Sequence, residues 1–593
     1  MPNERAILCG GASSTKLRIR DDDPLRLKIW GQEANVNLSF EDIRRQLLSD
    51  IPSPFLDLIE IATYVYCADQ AITRGGAGVD NLGASWRRKL FFRIPVRNPN
   101  AWNGDSLQEK LITALSFLTE DEYDFEFVTQ EDSPEFQQYL FCAEGDDGIE
   151  SPEEVVLFSG GLDSLGGAIQ EAVIDKRRIA LVHHKAADKL IRRHRYLLEQ
   201  LTKKAVEAPP IHIPVSINKS SDLNSEYTQR SRSFLYASLA SAIAQMLGLS
   251  RIRFYENGVV SMNLPPAAQV VGARATRTTH PQILNGFASL FTELSGQTFT
   301  VENPFLWKTK TDVLKLIARA ECADLIRYST SCAHTYAMTK LHPHCGVCSQ
   351  CIDRKFAVLA AGLSDADPAE AYKVDLMVGE RSEGDSLTML TSYVEMANRI
   401  TGMLPTDFFS EFGEASRILR HIGESANNAA MKVYELHKSH AQFVGRAMDN
   451  AIAANASDIR TRKLPATCLL RLVCDSSSMP GQIESPATAP TGPESEDEED
   501  FMFRPENQTP NKQVWSVRFR GGKEFVLLRS RGAAYLHILL SNPGKPFPAI
   551  DLVMNVLRNP ALYPLADSGD ASDRQALTAY RATYNALVQE LEE

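Results

Sequence analysis

Several classes of protein are excluded by what this 593-residue sequence has little of. Its ten cysteines are too few for a disulfide scaffold. Its 34 glycines and 30 prolines are close to the average for folded proteins, which excludes a collagen-like chain. Basic residues number 63 against 75 acidic ones, so a net charge of −12 provides no overall field that attracts nucleic acid or anionic lipid. Any contact with nucleic acid must therefore be local.

Long hydrophobic runs are also missing. The longest charge-free apolar run, 234–249, is shorter than the roughly 20 residues of a membrane-spanning helix and predicts a buried helix instead. The first residues, MPNERAILCGG, lack the apolar segment of a secretory signal. We therefore expect a cytoplasmic protein whose thiols are reduced.

Hydrophobic patterning divides the chain into five predicted segments. Residues 1–150 have the mixed pattern of an α/β region, residues 151–362 alternate strand with helix, and residues 363–474 are helical. Residues 475–505 are rich in Ser, Pro and acidic residues and predict a disordered linker. Residues 506–593, with a hairpin around Gly521-Gly522 followed by two helices, predict a small winged-helix-like or partner-docking module.

The second segment predicts a doubly wound parallel sheet. Its apolar strands EEVVLF, RIALVHH, IHIPV and RIRFYEN are separated by helical stretches, and this alternation places helices on both faces of a parallel sheet. Ligands bind such sheets beyond the carboxyl ends of the strands. The sequence SGGLDS follows the first strand at such an end.

This SGGLDS turn has the composition of a phosphate site. Glycines before a helix let backbone N–H groups approach an anion, and the positive end of the helix dipole adds to the attraction. Asp163 is suited to hold a Mg²⁺ ion that bridges phosphates. Because no lysine follows the glycines, the turn is not a Walker A loop. The predicted phosphate-binding residues here are Ser159, Gly160, Gly161, Leu162, Asp163 and Ser164.

Four cysteines predict a metal site. Cys332, Cys345, Cys348 and Cys351 lie close together in the sequence, and four thiolates at this spacing can surround Zn²⁺ with no position left for a reacting water. Such a closed site is structural. Buried free cysteines and an iron–sulfur cluster remain as alternatives.

Two motifs carry a resemblance to known enzymes. VVLFSGGLDS resembles the SGGxDS motif of the PP-loop (HUP-like) ATP pyrophosphatases, and CGVCSQCIDRK resembles the cysteine signature of the 7-cyano-7-deazaguanine synthase (QueC) family. The resemblance implies ATP, Mg²⁺ and Zn²⁺ as cofactors. It also implies adenylation of a 7-carboxy-7-deazaguanine-like carboxylate, followed by amide formation with ammonia or another amine.

Further residues are predicted to complete the site. Arg232 opens the buried helix, and Lys310 precedes another helix, where each resembles a segment of the same family. A lysine at that place would neutralise the leaving pyrophosphate. Loop residues after predicted strands are expected to line the substrate pocket, namely Glu256, Asn257, Gly258, Asn263 and His280.

The length of the chain suggests a specialised form. Long QueC-like proteins resemble those encoded in bacterial anti-phage defence systems of the CBASS and Qat kinds, which implies a partner protein as the amine donor. Two alternatives stay open, a PP-loop enzyme of tRNA thiolation and a nucleotide-sensing or DNA-binding regulator. The second would use the locally basic stretch 512–531.

Overall fold

A computed structural model describes most of the chain. The described residues are 3–38, 51–74, 87–130, 151–264, 277–475 and three strands within 501–528, with short gaps at 16–17, 20, 30, 32, 185–187, 216, 221–222, 224–228, 335–337, 340 and 383. The chain divides into two compact units, Met1–Gln482 and Ile483–Glu593.

The first unit begins with a sheet whose strands pair in parallel. Its strands are β1 (Asn3–Cys9), β2 (Leu25–Leu27), β4 (Arg88–Val96) and β5 (Glu122–Thr129), whereas β3 (Val36–Leu38) lies outside this sheet. The helices of this region are α1 (Ser53–Ala71), α2 (Pro99–Trp102) and α3 (Asp105–Thr119). Four strands pair in the order β2-β1-β4-β5, all parallel. Aromatic residues stack across this sheet, as Phe92 does on Phe125 with ring centroids 5.3 Å apart.

The central sheet confirms the predicted parallel α/β core. Its strands are β6 (Glu154–Phe158), β7 (Ile179–His184), β8 (Ile211–Val215), β10 (Arg251–Arg253) and β11 (Thr300–Glu302), while β9 (Ile217–Lys219) pairs antiparallel with β3. The order is β11-β10-β6-β7-β8, and every pairing is parallel. The helices are α4 (Leu162–Ile169, continued by a π-turn at Gln170–Ile174), α5 (Asp188–Lys204), α6 (Arg232–Met246), α7 (Gly258–Met262), α8 (Pro281–Ser295) and α9 (Lys310–Arg319).

Helices cover both faces of this central sheet. Alternate residues of β6 enter two different apolar clusters, Val155 and Leu157 on one side and Val156 and Phe158 on the other. The period-two alternation of side chains along a strand produces this division. The first cluster also contains apolar residues of α1, which packs on α6, so the two sheets share one hydrophobic core.

A helical segment completes the first unit. It comprises α10 (Ser349–Ala361), α11 (Asp385–Gly402), α12 (Pro405–Glu411), α13 (Gly413–Ile418), α14 (Ala426–Ala454), α15 (Ala456–Arg460) and α16 (Leu469–Cys474), with short 3-10 turns at Ala323–Tyr328, Ala369–Ala371 and Leu419–His421. The long helix α14 packs against α10 and α11. Among the described residues, every helix is too short or too polar to cross a bilayer.

The second unit is described through three strands, β12 (Phe501–Asn507), β13 (Gln513–Phe519) and β14 (Phe525–Leu528). They pair antiparallel in the order β12-β13-β14, so β13 and β14 flank the predicted hairpin turn. β12 begins at Phe501, inside the segment 475–505 that was predicted as a linker. The two helices predicted after the hairpin lie outside the described residues.

A buried ion network anchors the N-terminal sheet. Arg88 Nη2 is 2.6 Å from both Asp69 Oδ1 and Asp121 Oδ2, and Arg74 Nη2 is 2.7 Å from Asp121 Oδ2. Each of these four side chains is at most 1% exposed. Burial alone would raise the pKa of Asp69, but Arg88 and Arg74 hold it below its ordinary value. Asp69 Oδ2 also accepts hydrogen bonds from the amide and hydroxyl of Ser231, just before α6.

We predict that Arg88→Ala lowers the free energy of unfolding by roughly 3 to 5 kcal/mol, because it leaves two buried carboxylates with Arg74 as their one remaining cation in the network. Urea denaturation measures the change. Lys89→Ala, in the same strand, removes an exposed pair with Glu4 and should leave the free energy of unfolding nearly unchanged. Equal losses in the two variants would contradict the role given to the network.

Candidate functional site

The glycine-rich turn lies directly at the end of β6, as the sequence predicted. All five residues of β6 are buried, and α4 begins at Leu162. Gly160 has φ +77°, a conformation that favours glycine, and a Cβ there would lie 2.8 Å from the His194 ring. The amide of Thr330 donates to the Gly160 carbonyl over 2.8 Å, which fixes the turn from outside.

Two serine hydroxyls hold the turn from within. Ser164 Oγ accepts from the amide of Ser159 at 3.2 Å and donates to the carbonyl of Gly161 at 3.1 Å. The hydroxyls of Ser159 and Ser164 are 3.0 Å apart. These bonds hold the turn together at the N-terminus of α4, whose first residues line the adjoining cavity.

The turn borders a cavity of about 460 Å³. Its wall includes all six predicted turn residues together with Arg232, Glu256 and Lys310. Residues 330–333, Gln350 and Tyr66 of α1 contribute other parts of the wall. Tyr66 was missed by the sequence reasoning, since it lies outside the segment expected to form the site.

Lys310 lies between two carboxylates. Its Nζ is 2.6 Å from Asp353 Oδ2 and 3.3 Å from Asp163 Oδ2, and its side chain is only 2% exposed. A capping box between Thr309 and Asp312 starts α9 at this lysine and so fixes its backbone. Although burial opposes the charged form, Asp163 and Asp353 raise the pKa of Lys310, which keeps it an ammonium ion.

The carboxylates of the site outnumber this lysine. Asn257 donates to both oxygens of Asp163, at 3.3 and 3.4 Å, and Thr279 donates to Glu256. Burial raises the pKa of Glu256 to about 7, with the charge of Asp163 as a further cause. Burial likewise raises the pKa of Asp163, despite its pairing with Lys310. The site therefore disfavours the ionised forms of these carboxyl groups, and a bound divalent cation would stabilise them.

The other predicted pocket residues have mainly structural contacts. At Gly258 a Cβ would lie 1.8 Å from the Leu306 carbonyl, so close packing requires glycine there. Asn263 ends α7 in the left-handed conformation, with φ +45°. His280 is the N-cap of α8, accepting from the Gln282 amide at 3.1 Å, and its ring packs on Phe117. None of these three is among the residues that line the cavity.

The four cysteines converge as the spacing predicted. Cys332, Cys345, Cys348 and Cys351 are buried, and their sulfur atoms all lie within 4.8 Å of one another. Cys345 Sγ and Cys351 Sγ are 3.9 Å apart, close to the ~3.8 Å edge of a tetrahedron with Zn–S bonds of about 2.3 Å. The cluster can thus hold a zinc ion with four sulfur ligands.

Helix α10 links this cluster to the lysine. Cys348 is its N-cap residue, Cys351 lies in its first turn, and Asp353 follows two residues after Cys351. Arg354 is fully buried, and its Nη2 is 2.7 Å from Asp367 Oδ1, which fixes the rotation of the helix. Asp353 was not predicted, although the sequence CIDRK places a carboxylate between a ligand cysteine and a buried arginine.

The fold and the site combine two features. A parallel α/β sheet carries a glycine-rich turn at one strand end, and a four-cysteine cluster lies beside the same cavity. A protein-family model described as "Queuosine biosynthesis protein QueC" matches residues 176–362, a range that includes Lys310 and all four cysteines but begins after the turn.

One curated relative matches a shorter stretch. The chain is 40% identical over 68 residues to a 7-cyano-7-deazaguanine synthase of Methanocaldococcus jannaschii. This alignment covers 11% of the present chain and 28% of the archaeal protein, so the chain spans about a quarter of that relative.

We predict that Cys348→Ser loses its bound zinc on dialysis against a chelator and melts roughly 5 °C lower, because three ligands leave a weaker, open site. Metal analysis and thermal denaturation measure the two effects. Cys474→Ser, at an exposed cysteine, should match the wild type in both. Unchanged zinc content in Cys348→Ser would refute the metal site.

Proposed function

We propose that this protein activates a 7-carboxy-7-deazaguanine-like carboxylate with ATP and then joins it to an amine. The observation that carries the proposal is the single cavity that contains the SGGLDS turn, Arg232, Glu256 and Lys310 beside the four-cysteine cluster. The match of residues 176–362 to the QueC model supports the choice of substrate.

Each part of the cavity receives a role in this proposal. The turn residues Ser159–Ser164 bind the phosphates through N–H and hydroxyl groups, as suits a helix N-terminus. Asp163 is the proposed ligand of Mg²⁺, with Glu256 beside it, since a charge excess of carboxylates suits a hard cation. Lys310 and Arg232 face the negative charge that develops on the departing pyrophosphate.

The proposed chemistry follows from the weakness of a carboxylate as an electrophile. One carboxylate oxygen attacks the α-phosphorus of ATP, and the bond to the bridging oxygen breaks to release pyrophosphate. The amine nitrogen then attacks the carboxyl carbon of the acyl-adenylate, AMP departs, and the nitrogen loses a proton. Donors fixed before the reaction stabilise the leaving charge without reorganisation.

The finer proposal concerns the amine. The QueC match spans residues 176–362 of a 593-residue chain, so much of the first unit and the whole second unit are additions to it. We propose that the segments 1–150, 363–474 and 506–593 serve a partner protein whose amine accepts the acyl group, in an anti-phage defence system. The proposed location is the cytoplasm, where zinc thiolates stay reduced.

The arrangement of the cysteines bears on the tRNA-thiolation alternative. Thiolation by a PP-loop enzyme would use redox-active cysteines or an open cluster, whereas four buried sulfur atoms at tetrahedral spacing suit a closed zinc site. We therefore prefer the carbon–nitrogen ligase.

We predict that Asp163→Ala lowers ATP- and carboxylate-dependent pyrophosphate release by at least about 100-fold, since it removes the proposed metal ligand. The fold should persist because Lys310 keeps Asp353 as a partner. A coupled phosphate assay and thermal denaturation measure both effects. Asp175→Ala, at a partly exposed carboxylate just after the π-turn that continues α4, is the matched control. Wild-type release rates in Asp163→Ala would contradict the assignment.

We predict that a neighbouring protein co-expressed with this chain gains the mass of the deazaguanine acid less one water, through an amide bond. Intact-mass spectrometry measures the gain. The same protein co-expressed with the Asp163→Ala variant should keep its unmodified mass. If ammonia is the only amine that accepts the acyl group, the small amide will form while the neighbour's mass stays constant.

A further inference from the structure

Two side chains of the helical segment are linked by hydrogen bonds to Asp353, the carboxylate that pairs with Lys310. Tyr393 of α11 donates its hydroxyl proton to Asp353 Oδ1 over 2.9 Å. His440 of α14 has its Nε2 3.1 Å from the same hydroxyl oxygen. The other oxygen of Asp353 is the one that binds Lys310, at 2.6 Å. Both residues lie outside the range 176–362 of the QueC match.

The hydrogen bonds that join His440, Tyr393 and Asp353 all run in one direction. The ammonium of Lys310 only donates and the ionised carboxylate of Asp353 only accepts. Tyr393 has one hydroxyl proton, which it gives to Asp353, so its oxygen must accept from His440. His440 therefore carries a proton on Nε2. The Asp353 carboxylate thus accepts a hydrogen bond from Tyr393 on Oδ1 and forms an ion pair with Lys310 through Oδ2.

Ring contacts restrict the position of the Tyr393 side chain. Its ring stacks on Phe356, one turn after Asp353 in α10, with centroids 5.3 Å apart and an interplanar angle of 15°. The His440 ring meets the Tyr393 ring edge-on, at 88° and 5.7 Å. Helices α10, α11 and α14 pack against one another, so the hydroxyl is held at a fixed point behind Asp353.

We propose that Tyr393 and His440 are positioning residues that hold Asp353 in the rotamer that directs the Lys310 ammonium at the phosphate cavity. Without Tyr393 one oxygen of Asp353 loses its donor, the carboxylate can rotate, and Lys310 leaves its place between Asp353 and Asp163. The inference rests on the proposed function only in that Lys310 contacts pyrophosphate. It assigns to the helical segment a direct influence on the anion site.

The test is calorimetric titration of the full chain with pyrophosphate in the presence of Mg²⁺, and separately with adenosine. Tyr393→Phe keeps the ring stacking and removes only the hydroxyl. We expect its dissociation constant for pyrophosphate to rise about 10-fold, the usual scale for one hydrogen bond to a charged group. Its affinity for adenosine should stay within about twofold of the wild type, because adenosine lacks the phosphates that Lys310 is proposed to contact.

Two controls separate positioning from general stability. Tyr434→Phe removes another hydroxyl of the same helical segment, one that donates to the Met403 carbonyl, and should leave both affinities unchanged. His440→Leu should weaken pyrophosphate binding, whereas His440→Gln, which retains an N–H donor, should restore it. The double variant Tyr393→Phe/His440→Leu should bind no more weakly than Tyr393→Phe alone, because His440 acts through Tyr393.

Several results would overturn the inference. They are an unchanged pyrophosphate affinity in Tyr393→Phe, an equal loss for adenosine, additive losses in the double variant, and absence of pyrophosphate binding by the wild type. Failure of the proposed function has a different signature. In that case pyrophosphate binding responds to Tyr393→Phe as expected, while the wild type fails to release pyrophosphate from ATP with the deazaguanine carboxylate.

Discussion

The buried ammonium of Lys310 is the constraint on which the site depends. A charge with 2% exposure is stable only if carboxylates replace the lost water, and the two that do so come from different helices. Asp163 lies in the first turn of α4, directly after the glycines of the turn. Asp353 lies in α10, the helix that begins at the cysteine cluster. Burial opposes the charge on Asp353, but Lys310 keeps the pKa of that carboxyl below its ordinary value. One ion cluster thus fixes the relative positions of α4, α9 and α10.

A second buried ion cluster connects the N-terminal sheet to the cavity. Asp69 is buried among arginines, and its second oxygen binds the amide and hydroxyl of Ser231. The next residue, Arg232, lines the cavity, as does Tyr66, one turn before Asp69 in α1. Any shift of α1 would therefore move two walls of the cavity at once. The N-terminal sheet is part of the site by this contact and by the shared apolar core.

The sequence predicted those features whose signals are local. The turn at Ser159–Ser164 and the four cysteines are defined by short-range spacing, and their chemistry limits them to few structures. Asp353, Tyr66 and Tyr393 reach the site through packing between distant segments, which no local pattern encodes. His280 is a different case, because the His-Pro pair before α8 carried the signal of an N-cap with proline at the first helical position. The sequence predicted a mixed α/β region at the N-terminus, but the parallel order of its strands follows from pairings between segments far apart in the chain.

The cysteine cluster lies at the start of α10, so it also bears on the position of Asp353 in that helix. A metal held by Cys348 and Cys351 would fix the first turn of the helix that carries Asp353, and the carboxylate facing Lys310 would then take its position from that metal. Arg354 and Asp367 prevent rotation of that helix about its axis, while Tyr393 and His440 hold the carboxylate from behind. A closed zinc site takes no part in bond making. Through these contacts it would nevertheless determine where the positive charge of the anion site lies.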